Sequence, residues 1–137
     1  MLTAFRTTLV TLLMLALAIP ASLAAPPPDA RPYVLVVYAD WCPSCQQLKP
    51  ALARLNEEYR DRIRFVRFDI TTEETAAKSK AKAEKLGLSD YYEKNHERTS
   101  VVIILDSSRH EVFRTVNDYA VEHYETVLNQ QLSASHQ

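Results

Sequence analysis

Between Tyr33 and Ala39 the chain reads YVLVVYA, an unbroken apolar and β-branched run closed by Pro32 on one side and Asp40 on the other. Such a run suits a strand buried on both faces, where neither side calls for polar residues. The period then changes. Leu48, Leu52, Leu55 and Tyr59 recur at i, i+4, i+7 and i+11, which is one face of a helix spanning Ser44 to Tyr59. Pro50 falls inside that helix and should kink it, because it removes a backbone donor and crowds the preceding turn. From Ile63 to Ile70 the pattern returns to alternation, with Ile63, Phe65 and Phe68 set against Arg62, Arg64 and Arg67, so a second strand is expected. Thr71 and Glu74 have capping-box spacing, and a helix should follow to Leu86. Gly87, the single glycine of the chain, sits where a left-handed C-cap belongs.

Ser89 to His96 reads as a short helix opened by Ser89 or Asp90, and Ser100 to Leu105 as another buried strand. The turn residues Asp106 to Arg109 lead into an alternating strand from His110 to Val116, which makes a hairpin. Asn117 or Asp118 is expected to cap a last helix whose apolar stripe is Val121, Tyr124, Leu128 and Leu132. A βαβ unit followed by a ββα unit predicts an α/β fold, a mixed four-stranded sheet with helices on both faces.

The start of the chain has a different build. Arg6 is followed by LVTLLMLALAI, and Ser22 and Ala24 supply the small residues that a signal peptidase reads. The apolar core is shorter than the roughly 20 residues of a spanning helix. Residues 1–24 are therefore expected to be a secretory signal peptide cleaved after Ala24, leaving 113 of the 137 residues. A Pro-rich spacer over 25–32, a folded domain over 33–133 and a tail over 134–137 complete the expected organisation. The protein is expected to be extracytoplasmic, periplasmic or secreted, where disulfides are permitted.

Charge removes one function class. With 16 Lys+Arg against 17 Asp+Glu, the chain lacks the basic surplus of a nucleic-acid binder, so no nucleic-acid partner is expected. Hydrophobic residues make up 47% of the chain, enough to bury a core rather than leave it disordered. Lys78, Lys82 and Lys85 form a stripe on the second helix that is expected to be a solvated face. Tyr91 or Tyr92 should pack onto the sheet.

Two cysteines permit one bridge, half a zinc site or one redox pair. Both lie in Trp41-Cys42-Pro43-Ser44-Cys45, where the first strand ends and the first helix begins. There Cys42 faces unpaired backbone N–H groups and the positive end of the helix, which stabilise a thiolate. Cys45 lies one turn on and can close a small disulfide ring with it. Cys42 is the expected attacking thiolate and Cys45 the expected resolving thiol, joined to a client through a mixed disulfide. A fixed structural bridge is disfavoured, because so short a loop removes little chain entropy. A resident metal is disfavoured too: structural zinc takes four ligands, and His96, His110, His123 and His136 follow no ligand spacing.

The segment YADWCPSC with Pro50 resembles the thioredoxin family, residue by residue at Ala39, Asp40, Trp41, Cys42, Cys45 and Pro50, and the likeness extends over Tyr33 to Leu132. It implies a thioredoxin-like three-layer α/β/α domain in its minimal form. Three departures accompany it. Val36 stands where the family has a buried aspartate that assists the resolving thiol. Thr99, after Arg98, stands where it has a cis-proline facing the disulfide; a trans Arg98–Thr99 bond is expected, since a non-proline cis bond costs about 2.5–4 kcal/mol. A helical insertion also lengthens the segment before the third strand. Pro43-Ser44 differs from the dipeptides of both strong reductants and strong oxidants in the family, so an intermediate potential is expected.

The resemblance implies a thiol–disulfide oxidoreductase whose only redox group is the Cys42–Cys45 pair, with no other cofactor and no metal. Trp41, Pro43, Ser44, Arg98 and Thr99 are the expected substrate contacts. Protein thiols and disulfides are the expected partners, served by a membrane-bound thiol donor or acceptor, and the domain is expected to act as a monomer. Two alternatives stay open: a non-enzymatic module whose C-x-x-C holds a metal ion or cluster, and a redox-inert partner-binding domain.

Overall fold

A computed structural model describes residues 30–134. The expected leader and most of the Pro-rich spacer lie outside the described residues, as do the last three residues of the expected tail. Eight elements follow in the order β1 (Tyr33–Tyr38), α1 (Pro43–Tyr59), β2 (Arg64–Asp69), α2 (Glu73–Leu86), α3 (Ser89–Asn95), β3 (Val101–Leu105), β4 (Glu111–Val116) and α4 (Val121–Ala134). The strands form one sheet in the order β2-β1-β3-β4. β1 runs parallel to β2 and antiparallel to β3, and β3 and β4 form the hairpin, so the expected mixed sheet and the βαβ–ββα succession are both found.

Alternation along the strands decides which layer each residue feeds. Val34, Val36 and Tyr38 face α1 and α4, where they join Leu48, Leu55, Tyr59, Tyr124 and Leu128. Tyr33, Leu35 and Val37 face the opposite way, toward Val66, Phe68, Ala83, Leu88 and Tyr92 under α2 and α3. Every residue of β1 and β3 is buried, which is why both read as continuous apolar runs. Tyr92 packs edge-on against Phe68 with ring centroids 5.4 Å apart, and its hydroxyl donates to Ala76 O at 2.9 Å. The lysines of α2 are exposed; Lys78 pairs with Glu74 at 2.6 Å and Lys80 with Glu93 at 2.9 Å.

The helix ends correct the sequence reading in three places. The capping box of α2 is formed by Thr72 and Thr75, each side chain serving the other's backbone N–H, rather than by Thr71 and Glu74. Thr71 is already engaged: its N–H and hydroxyl both donate to Asp69 Oδ1, at 2.9 and 2.6 Å. Neither Ser89 nor Asp90 caps α3, which starts at Ser89 after Leu88 with no side-chain cap. α4 starts at Val121, later than a cap at Asn117 or Asp118 implies; Asp118 instead accepts from Ala120 N–H at 3.1 Å and its carbonyl takes the Tyr124 hydroxyl. Gly87 behaves as expected. It is left-handed (φ 67°) at the end of α2, and a Cβ there would lie 2.5 Å from Arg109 Nη1.

Candidate functional site: a dithiol at the start of α1

Cys42 is the N-cap of α1, in extended backbone geometry, with Pro43 opening the helix. Its Sγ accepts a hydrogen bond from Cys45 N–H at 3.1 Å, the bond an N-cap side chain makes to an otherwise unpaired helix donor. Both cysteines are free thiols and both are buried. Burial pushes the Cys42 thiol up, but hydrogen bonds from Cys45, from the Thr99 hydroxyl and from the Ser44 backbone outweigh it, and the net shift is downward. For Cys45, burial is again the largest influence, and the neighbouring Cys42 adds to it, so the net shift is upward. The N-terminal thiol is thus the readier thiolate and the second holds its proton.

Trp41 is 63% exposed, unusual for the chain's one tryptophan. Its ring is not loose. Trp41 Nε1 donates to Thr71 O at 3.2 Å, and Asp40 N–H donates to Thr71 Oγ1 at 3.0 Å. Thr71 is held in turn by Asp69 Oδ1, and Asp69 by the buried Ser79, whose hydroxyl accepts from Asp69 N–H at 2.8 Å and donates to Asp69 O at 2.9 Å. Burial raises the Asp69 carboxyl, yet the Thr71 hydrogen bonds and Arg67 overcome it and hold it below the usual range. Sequence reading missed this relay from α2 to the tryptophan. Its one signal, Thr71 three residues before Glu74, points to a helix cap instead.

The remaining expected site residues fall close by. Pro43 is exposed and Ser44 half-buried on the first turn of α1. Thr99 is half-buried, and its side chain is one of the influences that lower the Cys42 thiol. Arg98 is exposed, anchored through its own N–H to Asn95 O at 2.9 Å. Among the described residues no peptide bond is cis, so Arg98–Thr99 is trans. The chain then enters β3 through Ser100, which is buried, left-handed (φ 60°) and bonded from its N–H to Val37 O at 2.9 Å. A recess of ≈ 400 Å³ lies on the other side of Trp41, against α2 and α3.

A family model described as Thioredoxin matches residues 25–84. The chain is 48% identical over 40 residues to the thiol:disulfide interchange protein TxlA of Synechococcus elongatus, covering 29% of this chain and 21% of that protein. It is 40% identical over 52 residues to thioredoxin C-2 of Corynebacterium nephridii, covering 36% and 48%. It therefore spans about a fifth of the first of these relatives and about half of the second. Among solved structures, a thioredoxin-like protein in its oxidized form superposes with a TM-score of 0.54 at 14% identity, over 77% of this chain and 80% of that one. Trxlp of Edwardsiella tarda superposes at 0.50 with 22% identity, over 73% and 84%; at these identities the likeness is one of fold. Sequence and fold together make the chain similar to the thioredoxin family.

Within this thioredoxin-like fold the departures at Val36 and Thr99 take on physical meaning. Val36 is 1% exposed and packs in the same cluster as both cysteines, so no carboxylate stands at that position to accept a proton from Cys45. A groove of ≈ 570 Å³ opens to solvent behind it, with Lys49, Arg67 and Lys82 among its walls. Thr99 offers a donor where a proline ring would offer none.

Proposed function

We propose that the protein is an exported thiol–disulfide oxidoreductase that exchanges the Cys42–Cys45 dithiol with the disulfides of protein clients. The observation that carries this reading is the opposed tuning of the two thiols by the turn that brings Cys45 N–H to Cys42 Sγ at 3.1 Å. Names of relatives that describe thiol:disulfide interchange support it, and the leader-like residues 1–24 support export.

In the reducing direction the Cys42 thiolate attacks one sulfur of the client disulfide. A Cys42–client disulfide forms and the client's second sulfur leaves as a thiolate. That thiolate is the strongest base at hand and takes the Cys45 proton, directly or through water, which makes a carboxylate at Val36 dispensable. Cys45 then attacks Cys42 Sγ, forming the intramolecular disulfide and expelling the first client sulfur, which is protonated from solvent. Two electrons pass from the protein to the client. A thiol donor must restore the dithiol, and a membrane-bound one fits an extracytoplasmic site; run backward with a disulfide acceptor, the same steps oxidise the client. Trp41, Pro43, Ser44, Arg98 and Thr99 are the proposed client contacts, no cofactor beyond the cysteine pair takes part, and the working unit is a monomer.

The test is trapping. Cys45→Ser should accumulate clients as mixed disulfides that dithiothreitol releases, while Cys42→Ser accumulates none. Clients retained non-covalently by the double Cys→Ser variant, with no mixed disulfide in either single variant, would favour the redox-inert binding module. Stoichiometric metal after reducing purification would favour a metal-holding one.

A further inference from the structure

The segment from α2 to α3 builds a recess beside the reactive cysteine. Its walls include the exposed Trp41, Thr71, Glu73, Tyr92, His96 and Glu97. Trp41 forms one side, fixed by its Nε1 bond to Thr71 O. The lining holds a second aromatic pair: Tyr92 and His96 are stacked with centroids 5.3 Å apart and planes 18° from parallel. Glu73 and Glu97 add two exposed carboxylates, and no lysine or arginine is among the lining residues. The nearby lysines are engaged elsewhere, Lys78 with Glu74 and Lys80 with Glu93.

We infer that this recess is a client subsite for a lysine or arginine side chain two or three residues from the client's reactive cysteine. The inference rests on the oxidoreductase reading above and adds a substrate class to it. Reach supports the position. A mixed disulfide sets the client's cysteine Cα about 5.5–6 Å from that of Cys42, and an extended client advances about 3.3 Å per residue. Trp41 is the residue next to Cys42, so a long side chain a few residues away passes over its face. Chemistry supports the occupant. An ammonium or guanidinium over an exposed indole gains cation–π attraction, its stem covers apolar ring surface, and the two glutamates receive its charge. A client carboxylate at the same place would meet like charge from both.

The experiment uses three peptides with the same disulfide, differing only in bearing Lys, Gln or Glu at the second and third positions from the reactive cysteine. Exchange is normalised to that with bis(2-hydroxyethyl) disulfide, which has no side chain to enter the recess. The Lys peptide should exceed the Glu peptide in kcat/KM by roughly five- to tenfold at low salt, as two exposed ion pairs and one cation–π contact allow. The ratio should fall toward one in 1 M salt, where the screening length is about 3 Å, and in the Glu73→Gln/Glu97→Gln double variant, whose fold is checked by its melting curve. Equal kcat/KM for all three peptides, or a Lys preference that survives the double variant, overturns the subsite while leaving the oxidoreductase intact. No exchange with any peptide or with the small disulfide overturns the oxidoreductase reading itself.

Discussion

The layer of α1 and α4 meets the sheet with bulky apolar side chains, Leu48, Leu55, Tyr59, Tyr124 and Leu128, whereas α2 buries only Ser79 and Ala83 on the other face. α1 is held by interdigitation and further tied to α4 by the Tyr59 hydroxyl on Asn129 Oδ1 at 3.1 Å and by Arg54 on Glu125 at 2.9 Å. α2 is held by its ends and by hydrogen bonds: the Thr72–Thr75 box, the Gly87 cap, and Ser79 on the backbone of Asp69. The layers do different work. Tight packing fixes the helix whose first turn tunes Cys42, and the helix tied by polar contacts lines the recess beside Trp41. The family match ends at residue 84, before α2 does, so the segment that closes the recess, including α3, lies beyond the matched region.

The contrast can be broken by substitution. Leu55→Ala should cost the most, about 2–5 kcal/mol of unfolding free energy, because its site is fully enclosed; urea denaturation measures it, and a loss below 1 kcal/mol would mean that α1 is not held by packing. Ser79→Ala should cost about 1–3 kcal/mol, since it takes the partner from both the N–H and the carbonyl of the half-buried Asp69. It should also change Trp41 fluorescence through the Asp69–Thr71 relay, a response that Leu55→Ala need not share. If Ser79→Ala destabilises without touching the fluorescence, the relay does not govern the tryptophan.

The smallest effect concerns titration. Only the thiolate attacks, so alkylation of Cys42 should slow as pH falls through its pKa, with a midpoint below that of an ordinary thiol. Thr99→Val removes a donor to that thiolate, raises the pKa and moves the midpoint upward; a midpoint that stays put would show that the hydroxyl does not act on Cys42.

Much of this was legible in the order of residues. The enclosed strands β1 and β3 are the two continuous apolar runs, and α1 announces itself through the spacing of Leu48, Leu55 and Tyr59. The cysteine pair is legible because its chemistry depends on local position, a strand end followed by a helix start. What could not be read depends on partners distant in sequence. Thr71 resembles a cap until Asp69 captures it, and Ser79, a poor helix-interior residue by propensity, makes sense only once β2 lies beneath it. Ser100 has a left-handed backbone with no glycine to signal it, and the recess exists only where Trp41 meets a helix more than thirty residues away.

The Ser79–Asp69 contact also bears on how far the sheet can grow. β2 is an outer strand, and an outer strand with free backbone groups is a template for another chain. Here the N–H and carbonyl of Asp69 are both taken by one serine, and the carbonyl of Arg67 receives Lys82 Nζ at 3.3 Å. Two helix side chains, Ser79 and Lys82, thus fill the place of a fifth strand along the upper part of this edge. Loss of Ser79 would do more than weaken a helix contact: it would reopen a site for strand addition, and the variant's tendency to aggregate should rise with it.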